Sequence, residues 1–359
     1  MMHFKISFLS LKKTYIIFFI ALLFLNFSST DLKSSIFSVN DIEITEPFEL
    51  NFKKEKVVDK AFIKAFKRLM KMTVISSEEI KLSRIKNNEI KNLIDSFKIK
   101  DERFIKNYYS ARFDVNFNKQ NTLLFFEKKN IFPSLPKKKS IFILPILIDT
   151  TNSTVNLFNQ NPFFFNWPTG TSKHFLLDYI LPTEDIDIIN TLNQNIENLE
   201  NYNYSNIINK YNVKDFIVCL IFQDNDKIKV LSKITINNNE KIQNNIYNNI
   251  NLDNENELTS LIISIKNNYE DNWKKINQIN RSVKLPLNIS VDANDYQKNK
   301  LFKDFLHSTE FVSNFFIKDF NNKKINYRII FNGSPARFLD LCNKNNILID
   351  TTNQIWQLN

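Results

Sequence analysis

Glycine is almost missing from this chain of 359 residues, which has only Gly170 and Gly333. Loops that cradle phosphate need glycine so that main-chain N–H groups can close on the anion. Neither glycine stands in a glycine-rich turn, which excludes the common nucleotide-binding loops. Imidazole is scarce too. His3 lies near the amino terminus, and His174 and His307 fall in different parts of the chain. Neither has a second His or Cys at ligand spacing, so no zinc site is expected. The two cysteines, Cys219 in an apolar run and Cys342 beside Leu341, read as core residues and not as nucleophiles or a disulfide pair. No G-x-S-x-G or comparable nucleophile signature occurs. The sequence therefore calls for no cofactor.

What is present is grease and lysine. Apolar residues make up 43% of the chain and Phe alone contributes 34, enough to bury a sizeable core. The formal charge is +10, spread along the chain and not gathered in one Arg-rich block. No nucleic-acid motif accompanies it, so nucleic-acid binding is not expected. Abundant Lys, Asn, Ile and Phe is also what an A/T-rich coding sequence yields.

Residues 1–30 have the form of an export signal. Lys5, Lys12 and Lys13 precede the apolar run Tyr15 to Leu25, and Ser28, Ser29 and Thr30 follow. The run is shorter than the ~20 residues a spanning helix needs. A clean cleavage motif is missing, so an uncleaved inner-membrane anchor is the alternative. No Cys at the junction offers lipid attachment. The expectation is an exported, periplasmic protein.

Three folded units follow. Residues 36–131 read as a small α/β unit. It opens on one or two strands, broken at Pro47. A helix follows with Val58, Ala61, Phe62, Ala65, Phe66, Leu69 and Met72 on one face and Lys56, Lys60, Lys64, Lys67 and Lys71 on the other. The lysine face reads as solvated, with contact to anionic lipid as the alternative. A second helix is expected over Asn88 to Phe97, leading through Asp101, Glu102 and Arg103 to the alternating strand Tyr109–Phe117. Asn118 is the expected cap of a further helix.

Residues 138–280 open on Ile141-Phe142-Ile143-Leu144-Pro145-Ile146-Leu147-Ile148, an unbroken apolar run of the kind buried on both faces in a parallel sheet. Phe175–Leu181 and Phe216–Phe222 are further strands, Tyr202–Tyr211 a helix, and Lys227–Asn237 and Ile242–Ile250 more exposed antiparallel strands. A helix from about Glu257 through Trp273 closes the unit. The order predicts a Rossmann-like layer with an antiparallel extension. The cluster Phe163-Phe164-Phe165-Asn166-Trp167 is too apolar for a loop and should fold back over that sheet.

Residues 281–359 show the order βαββαβ, the ferredoxin-like split motif. Asp292 or Asn294 caps its first helix. Gly333-Ser334-Pro335 opens its second, and Ile347–Leu358 forms the last strand.

The candidate site residues are Asp149, Asn161, Trp167 and His174, together with Asp178, Asp185 and Asp187. The acids could gather where open α/β sheets carry their sites. Acids at strand ends and neighbouring charges such as Asp101, Glu102 and Arg103 are more commonly solvated.

Certain residues also carry a resemblance. They are Ile141–Ile148, Asn161-Pro162-Phe163-Phe164-Phe165-Asn166-Trp167, Ile180-Leu181-Pro182 and Tyr211 to Phe222, with the first unit's long helix and its Asp101-Glu102-Arg103 and Tyr109–Phe117 block. Together they resemble a family of exported proteins of Gram-negative bacteria, a domain of unknown function numbered twenty sixty-six. The resemblance implies a cell-envelope protein with no assigned activity. That family carries Asp-Pro-Asn-Pro-Trp before its buried Trp, whereas here Phe163 follows the Asn161-Pro162 pair. In architecture the chain is similar to amino-terminal domains of periplasmic translocation and outer-membrane assembly factors. The first reading is a non-enzymatic protein working through contacts with other envelope proteins. The alternatives are a ligand-binding protein or hydrolase using His174 and Asp149 beside Trp167, and a membrane-anchored envelope protein.

Overall fold

A computed structural model describes residues 37–168, 172–280 and 283–359. The stretch read as an export signal, Gly170 and Arg281 lie outside the described residues. Among the described residues no helix is long and apolar enough to cross a membrane. The described strands form three sheets, taken from three successive stretches of chain.

The first stretch begins with β1 (Ser38–Pro47), which ends at the residue that cannot donate to a ladder. α1 (Lys54–Thr73) buries Val57, Ala61, Phe62, Ala65, Phe66 and Leu69 along one stripe. Its six lysines, the five of the expected polar face and Lys54, are exposed, and Lys60 pairs with Glu46 at 2.6 Å. The helix expected over Asn88 to Phe97 is only one turn, α2 (Asn87–Lys91), and the chain then enters β2 (Ile94–Ile105). Ile90, Leu93, Ile94 and Phe97 have helical spacing, but β3 (Tyr108–Phe117) offers a ladder from Ile94 opposite Phe117 to Ile105 opposite Tyr108. Asp101, Glu102 and Arg103 thus lie inside a bulged strand and not at a helix-to-strand joint. Glu102 pairs with Lys54 at 2.6 Å and Asp101 with Arg112. The sheet order is β1-β3-β2. Asn118 caps α3 (Lys119–Lys128) as expected, accepting from the Asn121 N–H at 3.0 Å.

The central stretch contains β4 (Lys139–Asp149), β5 (Thr154–Asn156), α4 (Pro162–Asn166), β6 (Leu177–Ile180) and α5 (Ile186–Gln194). It continues with α6 (Ser205–Asn209), β7 (Phe216–Asp224), β8 (Lys227–Ile236), β9 (Asn239–Tyr247) and α7 (Glu255–Ile276). β4 pairs in parallel with β6 and β7, and β7, β8 and β9 form an antiparallel meander, the expected extension. β4 is covered on both faces. Ile141, Ile143 and Leu147 face α7 residues such as Ile262 and Ile265, and Phe142, Leu144, Ile146 and Ile148 face α5 and α6 residues such as Ile188 and Ile208. Each such side chain contributes about 2 kcal/mol by leaving water. Helix α5 has no counterpart in the sequence reading, although Asp185 caps it at the Asp187 N–H, 2.9 Å away.

Pro145 sits mid-strand in β4, where proline is unusual. β6 pairs with residues Lys139 to Phe142 and β5 with Leu147 to Asp149, so neither strand covers Pro145 on that edge. The missing N–H therefore interrupts no ladder.

The third stretch holds β10 (Leu285–Asp292), α8 (Tyr296–Ser308), β11 (Val312–Phe320), β12 (Lys324–Phe331), α9 (Pro335–Lys344), β13 (Ile349–Asp350) and β14 (Trp356–Leu358). The order β11-β12-β10-β14-β13 contains the ferredoxin-like arrangement. The expected last strand is instead a hairpin, with β14 running parallel to β10. Asp350 turns the chain there, accepting from the Thr352 N–H at 2.9 Å. The cap of α8 is Asp295, not Asp292 or Asn294. Ser334 and Pro335 open α9 as expected. Gly333 has no positive φ, so it is needed for space and not for conformational freedom.

One apolar cluster joins the first and third sheets and includes Ile131, Leu135 and Ile279. The first and central units are stapled as well. Lys274 donates to the Val74 carbonyl at 2.9 Å, and Asp271 accepts from the Ser76 N–H at 3.0 Å.

Candidate functional site

Asn161, singled out from sequence, is fully buried. Its Oδ1 accepts from the Phe163 N–H at 2.9 Å, capping α4, and its Nδ2 donates to the Pro145 carbonyl at 3.0 Å. Asn161 thus supplies the hydrogen bond that no neighbouring strand gives Pro145. Trp167 ends the same segment, buried between Tyr179 and Tyr269. Its carbonyl accepts from Lys266, whose ammonium lies 5.6 Å from the Trp167 ring centre and 5.5 Å from that of Tyr179. Phe163 and Trp167 of the aromatic cluster do fold back over the sheet, held against α7, while Phe165 is exposed.

Asp149 and His174 lie apart. β6 starts opposite Lys139, so His174, just before it, belongs to the first end of β4 and Asp149 to the other. At 3.3 Å per residue that is about 30 Å along the strand. Asp149 serves its own turn, accepting from the Thr151 and Asn152 N–H groups at 2.9 and 3.0 Å, which lowers its pKa. Asp178 lies in β6 opposite Ser140, and Asp185 pairs with Lys210 at 2.7 Å. The acids do not gather.

His174 borders a cleft of about 390 Å³ between the first and central units, with Lys71, Ser76, Glu79, Glu270 and Lys274. Burial first, then the charges of Lys71, Lys274 and Arg68, depress its pKa to about 4, so the imidazole is neutral near pH 7. Ser172 shares a hydrogen bond with Nδ1. Glu270 accepts from the Leu176 N–H at 3.0 Å and the Leu177 N–H at 2.8 Å, anchoring the start of β6. Burial nevertheless raises its pKa. Two of the titratable groups of this cleft are thus bonded to main chain, Glu270 within the central unit and Lys274 across to Val74 of the first.

Lys266 and Glu270 are the residues that sequence reasoning missed. Both occupy the buried stripe of α7 with Ile262 and Tyr269. Charges at helical spacing inside an apolar stripe were the available signal.

A different feature stands out at the sheet margins. β1, β2 and β11 each carry a register shift, and β5, β6 and β13 are four residues or fewer. These are the devices by which sheets avoid edge-to-edge pairing. β9 has none of them. It closes the six-stranded sheet and pairs with β8 without a shift over nine residues. Asn237 and Asn238, at φ 52° and 61°, form the hairpin turn that sets Ile236 opposite Asn239. Hydrogen-bonded and non-bonded pairs alternate from there. Glu240, Ile242, Asn244 and Ile246 therefore turn their main-chain groups away from β8.

No family model matches the chain, and no curated protein matches it.

The side chains of Ile242 and Ile246 are 70% and 56% exposed. They lie on the sheet face opposite α7, since Gln243 and Tyr247 on the other face bond to Asn272 and Asn268 of that helix. Beside Ile242 runs a groove of about 250 Å³ lined by Tyr202, Tyr204, Phe216 and Lys233. Lys233 donates to the Tyr202 carbonyl at 3.1 Å and sits 5.1 Å from the Tyr204 ring centre, which holds that wall in place. A regular open ladder next to an apolar groove is an arrangement that can receive an extended chain.

Proposed function

We propose that this is an exported protein of the cell envelope that works through protein–protein contacts, by taking an extended partner strand onto β9, and not by catalysis. The observation that carries the reading is β9 itself: a shift-free open edge with two exposed isoleucines, where the other sheet edges among the described residues are broken or short. Main-chain hydrogen bonds to Glu240, Ile242, Asn244 and Ile246 would supply affinity, and the groove beside Tyr204 a side-chain pocket. The export signal read at residues 1–30 and the envelope-family resemblance support the location. The His174 cleft supports the ligand-binding alternative less well, because Glu270 and Lys274 are already bonded to the main chain.

The test is photo-crosslinking in intact cells from a probe at Ile242. The reading expects a defined envelope partner joined there, with capture lost when Ile246 is also changed to Lys. Equal capture from a probe at Lys67, on the solvated face of α1, would overturn it. Amino-terminal sequencing of the mature chain checks the export step.

A further inference from the structure

Resting on the strand-addition reading, we infer that the strand β9 accepts is β9 of a second copy of this chain, paired antiparallel about a two-fold axis through Asn244. The outward residues read Glu240, Ile242, Asn244, Ile246, and the last three are the same in either direction. With Asn244 opposite itself, Ile242 of each copy lies opposite Ile246 of the other. Each exposed isoleucine then packs beside one of the other copy, and two amides meet at the axis.

The charges fit the same register. Glu240 comes opposite Asn248, and Lys241 opposite Tyr247, so no like charges meet. On the α7 face Gln243 meets Asn245, two amides that already bond within one strand at 3.1 Å. The axis stands perpendicular to the sheet, which keeps both copies of α7 on one face and leaves the isoleucine face open. The pairing forms about six main-chain hydrogen bonds and doubles the six-stranded sheet. The other long edges lack this self-complementarity, since a strand with a register shift cannot mirror itself through its own bulge.

Disulfide trapping on the full chain tests the register. Cα atoms of directly opposed residues are about 5.5 Å apart, within disulfide reach. Cys219 and Cys342 are buried and stay in place as silent background. Under mild oxidation Asn244→Cys should give a covalent dimer, and Ile242→Cys should give one only when mixed with Ile246→Cys. Sedimentation should show a dimer of the unmodified protein, with Ile242→Lys weakening it roughly a hundredfold. A monomeric protein at all concentrations, or trapping of Ile242→Cys as readily as Asn244→Cys, overturns the inference. Circular dichroism on Ile242→Lys separates lost pairing from lost folding. A monomer that still crosslinks to one foreign envelope segment through Ile242 would sink the self-pairing and leave the strand-addition reading standing. A monomer that captures nothing there would sink both.

Discussion

The ammonium of Lys266 donates to the main-chain carbonyl of Trp167 from a residue that is only 1% exposed, with the Trp167 and Tyr179 rings against it. Burial drives its pKa down to about 8, against an upward pull from Glu270. A lysine with a depressed folded pKa penalises the fold while it is charged in both states. Stability should therefore rise with pH between about 8 and 10.5, where the unfolded chain holds a proton that the folded chain has released. Urea unfolding of the wild type and Lys266→Met at pH 7 and pH 10 checks this. The wild type should gain on the variant across that interval, and a constant difference would refute it. Lys266→Ala, which also empties packed volume, should cost about 2–4 kcal/mol at pH 7.

His174 follows the same sign at lower pH. Its folded pKa of about 4 lies below the ordinary imidazole value of 6.5, so its contribution is present above 6.5 and lost as pH falls through 4. Protonation would also set an imidazolium among Lys71, Lys274 and Arg68, at the seam between the first and central units. In a proton-resonance titration the His174 resonance, assigned by its loss in His174→Gln, should titrate near 4. His174→Gln should flatten the acid side of the stability curve. A His174 resonance titrating near 6.5 would show that the cleft is open to water.

Much of this fold could be read from the chain because it depends on local period. The α1 stripe, the alternation of β3 and the unbroken run of β4 each carry their own burial pattern. Three features could not be read that way. Ile90, Leu93, Ile94 and Phe97 suit a helix as well as a strand, and pairing with β3 settles which. Asn161 looked like a candidate site residue, but its role is set by the gap between β5 and β6 at Pro145, and that gap exists only once the strands are in register. The edge at β9 is a property of topology, because nothing within Asn239–Tyr247 says that no strand follows it in space.

Asn161 can be dissected by two substitutions. Asn161→Ala removes the cap on α4 and strands the Pro145 carbonyl in the core, and should cost about 2–4 kcal/mol. Asn161→Asp keeps the Oδ1 acceptor for the Phe163 N–H but sets a carboxylate against that carbonyl in a buried site. It should be the worse of the two at neutral pH and recover as acid protonates it. Denaturation midpoints at pH 7 and pH 5 distinguish the cases. Equal losses at both pH values would mean that the Pro145 bond contributes nothing.

Gly333 offers a sharper steric case. A Cβ at this position would stand 2.7 Å from Cε1 of Phe331, and Phe331 is fully buried against Phe311 and Phe338. The ring cannot swing clear without disturbing both neighbours, and α9 begins immediately after. Gly333 has no left-handed φ, so Gly333→Ala brings no backbone strain and isolates the clash. It should destabilise the third unit by about 1–3 kcal/mol. Combining it with Phe331→Leu, which removes the offending edge of the ring, should recover part of the loss relative to Phe331→Leu alone. If the double variant instead shows the sum of the two single losses, the ring is not what requires glycine there.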